Sequence, residues 1–122
     1  MVALARAQLA AGRPERSAAL LEPILAAAQR AGWHEAAASA SLVLGLSQEG
    51  AAARASLARS VELARDHGLP GVEWEACAAL ARLSDGDEAA ALRATSGEIV
   101  DRLARGIGDE RLAGEFMLAG ER

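Results

Sequence analysis

"SAALLEPILAAAQRAG", from Ser17 to Gly32, and "ARASLARSVELARDHG", from Ala53 to Gly68, are one helical pattern met twice. Ala19 and Ala55, Leu21 and Leu57, Ala28 and Ala64, and the closing Gly32 and Gly68 all stand 36 residues apart. A third stretch, from Ala91 to Gly106, matches with its start 38 residues after the second. Each carries an apolar stripe at helical spacing: Leu20, Leu21, Ile24, Leu25 and Ala28, then Leu57, Val61 and Ala64, then Leu92, Ile99 and Leu103. A lone helix cannot bury such a stripe. Recurrence at this interval is the mark of helical hairpins, each one layer of a stack in which neighbours cover one another.

Between these longer helices lie shorter, alanine-rich segments near Val2 to Ala11, Glu35 to Leu46 and Val72 to Leu83. They are apolar over a wider arc and are expected to be the more buried members. Glycine supplies the punctuation at Gly12, Gly32, Gly50, Gly68, Gly86 and Gly106, helped by Pro14 and Pro70. Pro23 falls about two turns inside its helix, where a bend rather than a break is expected. After Gly108, Asp109 is expected to cap a last short helix over 109–118, with Leu112 and Phe116 on one face. The expectation is one all-α domain over 1–122, with repeats at 1–32, 33–68 and 69–106.

The chain's 122 residues suffice for one domain, which buries roughly two thirds of its unfolded surface. Hydrophobic residues make up 52% but aromatics only 2%, so the core must be alanine and leucine, which suits closely packed helices. The absence of Lys, Tyr and Asn, beside abundant Ala, Gly and Arg, is the bias of a GC-rich bacterial genome. A net charge of −4 with scattered arginines leaves no footprint for a phosphate backbone, so no direct nucleic-acid contact is expected. A single cysteine, Cys77, and no signal-peptide pattern point to the reducing cytoplasm. No apolar run reaches the roughly 18 residues of a membrane span, because Arg, Glu or Gly interrupts each one.

The small and large residues of the hairpins follow the tetratricopeptide motif. Leu4-Ala5, Gln8, Ser17 and Leu21 form the first unit; Ala40-Ser41, Leu44, Ala53 and Leu57 the second; Ala78-Ala79, Arg82, Ala91 and Thr95 the third. On these residues the chain resembles the tetratricopeptide repeat over nearly its whole length. The family's tryptophan, tyrosine and closing proline have no counterparts here. The phrases "LAAGRPERSAALLEPILAAAQRAG", "SLARSVELARDHG" and "IVDRLARGIGDERLAGEFML" are similar to the C-terminal repeats of large bacterial LuxR-type and maltose-regulator-like ATPases. The resemblance implies a right-handed α-solenoid of three repeats plus a capping helix. It also implies that the ATPase and DNA-binding parts would lie outside this chain.

Convergent polar groups for an enzyme are hard to find, and neither a catalytic residue, a cofactor nor a metal is expected. His34 and His67 flank helix-ending glycines, and His67 suits a helix C-terminus. Cys77, among alanines, reads as a small core residue. Glu73 and Glu75 point about 200° apart on a helix and so do not form a catalytic pair. "GLSQEGA" and "GIGDERLAG" lack the context of a phosphate cradle, and "SDGDE" at 84–88 lacks the spaced ligands of a calcium loop. Trp33 and Trp74 read as gap fillers between alanine-rich helices, with an aromatic binding anchor as the functional alternative.

In tetratricopeptide repeats the first helix of each pair lines the groove. The resemblance therefore places Arg6, Glu35, Ser39, Leu42, Glu73, Trp74 and Arg82 at a binding surface for a protein, a peptide or another domain of a parent chain. No basic clamp for a C-terminal carboxylate is recognisable. The alternatives are a small-molecule effector sensor of a transcriptional regulator and a homo-oligomerisation module. The first helix has no polar cover, so Val2, Leu4, Ala5 and Leu9 are expected to be buried against a second copy, as in a homodimer, or beneath upstream repeats.

Overall fold

Where the chain must turn, glycine takes the left-handed backbone that other residues avoid. Gly32 has φ 72° and ψ 25°; its N–H donates to Gln29 O, and the N–H of Trp33 donates to Ala28 O at 2.9 Å. These two bonds satisfy carbonyls orphaned at the end of a helix. Gly12 and Gly68 repeat the arrangement, with Arg13 N–H donating to Gln8 O and Leu69 N–H to Ala64 O.

The computed structural model describes the backbone of residues 2–120 and the side chains of residues 2–107. It has six helices: α1 Val2–Ala10, α2 Pro14–Ala31, α3 His34–Ser47, α4 Gly50–Asp66, α5 Pro70–Arg82 and α6 Gly86–Gly120. Among the described residues there is no strand, and the all-α reading holds. Pro23 lies inside α2 without ending it. Short turns join consecutive helices, and each helix packs on the one before it. The first helices of the three hairpins also meet, α1 against α3 and α3 against α5.

The structural period is 36 throughout. Second helices begin at Pro14, Gly50 and Gly86, and the later first helices at His34 and Pro70. Ser60 Oγ donates to Ala38 O at 2.9 Å, and 36 residues on Ser96 Oγ donates to Trp74 O at 2.9 Å. This corrects the interval of 38. The small residue matching Ser17 (0% exposed) and Ala53 (1%) is Ala89 (3%), whereas Ala91 is exposed.

The same register explains why the separate helix over 109–118 is replaced by one continuous helix. The place of the capping Gly32 and Gly68 falls on Ala104, which strongly favours helix and resists the left-handed turn. Gly106 keeps an ordinary negative φ, and α6 runs on to Gly120. Asp109 therefore lies within a helix, and the packing of Leu112 and Phe116 lies outside the described residues.

The core sits on α3, which contributes to three buried clusters. Val43, Leu44 and Ala40 meet Ala5 and Leu21. Ala37 and Ala38 meet Ala28 and Leu63. Leu42 meets Leu57, Val61, Ala76, Cys77 and Leu80. The shorter helices α3 and α5 are well buried, as expected, but in α1 only Ala5 is. The difference follows from neighbours: α3 has helices on both sides, whereas among the described residues α1 touches α2 and α3 alone.

Candidate functional site

The face shared by α1, α3 and α5 brings some expected groove residues together and disperses others. Arg6 on α1 forms an ion pair with Glu75 on α5, reaching past α3. Glu35 and Arg82 are exposed and Ser39 is half-buried. Leu42 is not a groove residue. At 3% exposure it belongs to the core beneath α4 and α5, because its side of α3 faces the next hairpin.

Successive residues of a helix turn by about 100°, and this separates three neighbours on α5. Glu75 meets α1, whereas Glu73 accepts a hydrogen bond from Arg65 Nε of α4 at 3.1 Å. Trp74 lines an apolar groove of about 300 Å³ with Val100, Leu103, Ala104 and Ile107 of α6. Glu73 and Trp74 therefore leave the expected surface.

The expected interface on α1 is likewise divided. Ala5 is 0% exposed, packed inward against Leu21, so it cannot face a partner. Val2 and Leu9 lean half-buried on the same cluster, while Leu4 is 48% exposed.

A concavity of about 530 Å³ is lined by Val2, Trp33, His34, Glu35, Ala36 and Ser39. Trp33 dominates it at 64% exposure, which corrects the reading of this ring as a filler. The residue that closes the end of α2 through its N–H is the one that presents the ring. A sequence signal existed: a tryptophan directly after a helix-ending glycine stands outside both flanking helices.

An unforeseen pair lies on the other side of this turn. The rings of His34, which opens α3, and His67, which follows α4, stack with centroids 3.6 Å apart and planes 7° apart. Gln29, Arg59 and Asp66 join them around a cleft of about 280 Å³. Its mixed donors and acceptors suit a small polar molecule. Among the described residues no group of three or more His, Cys, Asp or Glu could hold a metal ion, and no helix is long and apolar enough to cross a membrane.

Cys77 is wholly buried, and burial pushes its thiol above the ordinary value of 9.0, with Arg65 opposing and Glu73 reinforcing the shift. The folded state thus holds the proton more tightly than the unfolded chain. Stability from this source is intact below 9.0 and falls as pH rises through and above it. The chain has no Lys or Tyr to obscure the effect. Urea titrations of wild type and Cys77→Ala from about pH 8 to 10 are expected to show a steeper alkaline loss in wild type. Equal slopes would contradict this. The native thiol is also expected to react slowly with a disulfide reagent until denaturant is added.

In comparison with known proteins, the chain matches no family model, no curated protein and no solved structure.

Proposed function

We propose that the chain is a noncatalytic, tetratricopeptide-like α-solenoid segment that binds a protein or peptide, or another domain of its own parent. In this reading it forms the C-terminal repeats of a larger cytoplasmic regulatory or signalling protein of bacterial origin. The observation that carries the reading is the exposed Trp33 in an open concavity of about 530 Å³, beside the row of first helices. Exposed aromatic rings at concave surfaces commonly dominate binding energy. Glu35 and Ser39 supply polar contacts beside it, and Arg82 adds an exposed charge on α5. Arg6 is already matched by Glu75 and contributes less.

The test is crosslinking and pull-down with the full-length parent, followed by Trp33→Ala. The variant is expected to weaken capture about tenfold while leaving the helical circular dichroism unchanged. Unaltered capture would overturn the assignment of the surface. Unaltered parent regulation after deletion of the whole segment would overturn the function.

The cleft beside the stacked His34 and His67 rings favours a second reading, a small-molecule effector sensor in a transcriptional regulator. A thermal-shift screen of sugars, nucleotides and peptides tests it, since a ligand bound only by the folded state raises the melting temperature. A hit that survives His67→Ala would place the ligand elsewhere.

A further inference from the structure

Glu35 and Ser39 stand one turn apart on α3 and line the concavity that Trp33 dominates, with Val2 and Ala36 as its apolar wall. The fixed charge in this hollow is of one sign. Glu35 is exposed and belongs to none of the ion pairs among the described residues, which join Arg6 to Glu75, Arg54 to Glu88, Arg59 to Glu62 and Arg65 to Glu73. Among the described residues no arginine lines the hollow, and the ring of His34, which does, is stacked on that of His67. Glu35 also lies in the first turn of α3, where the positive end of the helix dipole favours an ionised carboxylate.

The face of an indole is electron-rich and attracts a cation, and a carboxylate beside it adds a full opposite charge. Arginine meets every wall of this hollow at once. Its methylene stem suits Val2 and Ala36, its planar guanidinium stacks on Trp33, and its N–H fork can donate to the Glu35 carboxylate and to Ser39 Oγ. Lysine matches the charge without the plane, and an acidic segment would meet Glu35 with no cation to offset it. The net charge of −4 adds a general attraction for a basic segment.

We propose that the Trp33 concavity takes an arginine side chain carried by a basic peptide segment of the partner. The inference rests on the Trp33 binding reading above and names the chemistry of what binds there. The hollow of about 530 Å³ is larger than one side chain, so the residues flanking the arginine enter with it.

The probe is a capped peptide, acetyl-Gly-Ser-Arg-Ser-Gly-amide, and the readout is the Trp33 indole N–H signal in a proton–nitrogen NMR spectrum. Trp74→Phe identifies that signal, because the chain has two tryptophans. The arginine peptide is expected to shift it saturably at roughly millimolar concentration. Citrulline in place of arginine keeps the shape and loses the charge, and is expected to weaken binding about tenfold; lysine is expected to weaken it about threefold. Glu35→Gln is expected to weaken binding about fivefold, and Glu35→Asp, which keeps the charge, to retain most of it. Trp33→Leu, apolar but without a ring face, is expected to weaken capture of the arginine peptide as much, read from the Glu35 amide signal. Glu22→Gln, at an exposed position on α2, is expected to change nothing.

Equal binding of the arginine and citrulline peptides overturns the inference, and so does equal binding by wild type and Glu35→Gln, or no shift at up to about 10 mM peptide. A lysine peptide that binds as tightly overturns the choice of arginine. An equal loss in Glu22→Gln overturns the site, since the attraction would then be that of net charge alone. The scaffold reading is decided separately by capture of the full-length parent's partner. Weaker capture by Trp33→Ala with no arginine binding leaves that reading standing and removes this inference, whereas unaltered capture with arginine binding removes the reading and leaves the chemistry of the concavity.

Discussion

Leu57→Ala is expected to lower the unfolding free energy by about 3 kcal/mol, read as a shifted urea midpoint. Leu57 is 1% exposed and joins α4 to both neighbouring first helices, through Leu42 of α3 and Ala76 and Leu80 of α5. Truncation removes burial worth roughly 2 kcal/mol and leaves a cavity beside alanines too short to fill it. The same change at Leu20, which is only half-buried, is expected to cost about 1 kcal/mol. A loss of less than about 1 kcal/mol at Leu57 would mean that the second and third hairpins are not joined through this residue.

Gly45→Ala is the second large effect, and its sign is contrary to helix propensity. Alanine in place of glycine within a helix ordinarily stabilises by about 1 kcal/mol. At Gly45, however, an added Cβ would lie 2.6 Å from Leu57 Cγ, 2.7 Å from Leu57 Cδ2 and 3.2 Å from the Leu57 backbone nitrogen. The Leu57 side chain is enclosed and the backbone cannot yield, so α3 and α4 must separate. The net expectation is a loss of about 2 kcal/mol.

The double variant decides whether this is the cause. In Gly45→Ala with Leu57→Ala, the shortened side chain removes the two closest contacts, with Cγ and Cδ2, and the new methyl enters the cavity. The combined loss is therefore expected to fall short of the summed single losses by at least about 1 kcal/mol. Strict additivity would show that the two positions do not touch.

Helix placement was largely legible because it is a local backbone property. Glycines at left-handed turns and prolines at helix starts mark boundaries wherever they stand; α1, α3 and α5 lie within two residues of expectation, and α2 and α4 begin three residues before the quoted pattern. The third hairpin was misaligned because Gly106 resembled the capping Gly32 and Gly68, while Ala104 held their place. Glycine permits a turn but does not impose one.

What the sequence determined by itself is the all-helical character, the recurring hairpin and the alanine and leucine make-up of the core, all carried by periodicity and residue type. Only the tertiary structure decided the facing of each side chain. Leu42 and Ala5 turned inward, Trp74 turned to α6, Trp33 was left outside, and Arg6 met a partner 69 residues away. The stacking of His34 on His67 was decided in the same way, by where one helix begins and another ends. The physical reason is that a helix's own pattern sets its apolar arc only broadly, and a residue's place at the edge of that arc depends on the rotation each helix adopts against neighbours distant in sequence.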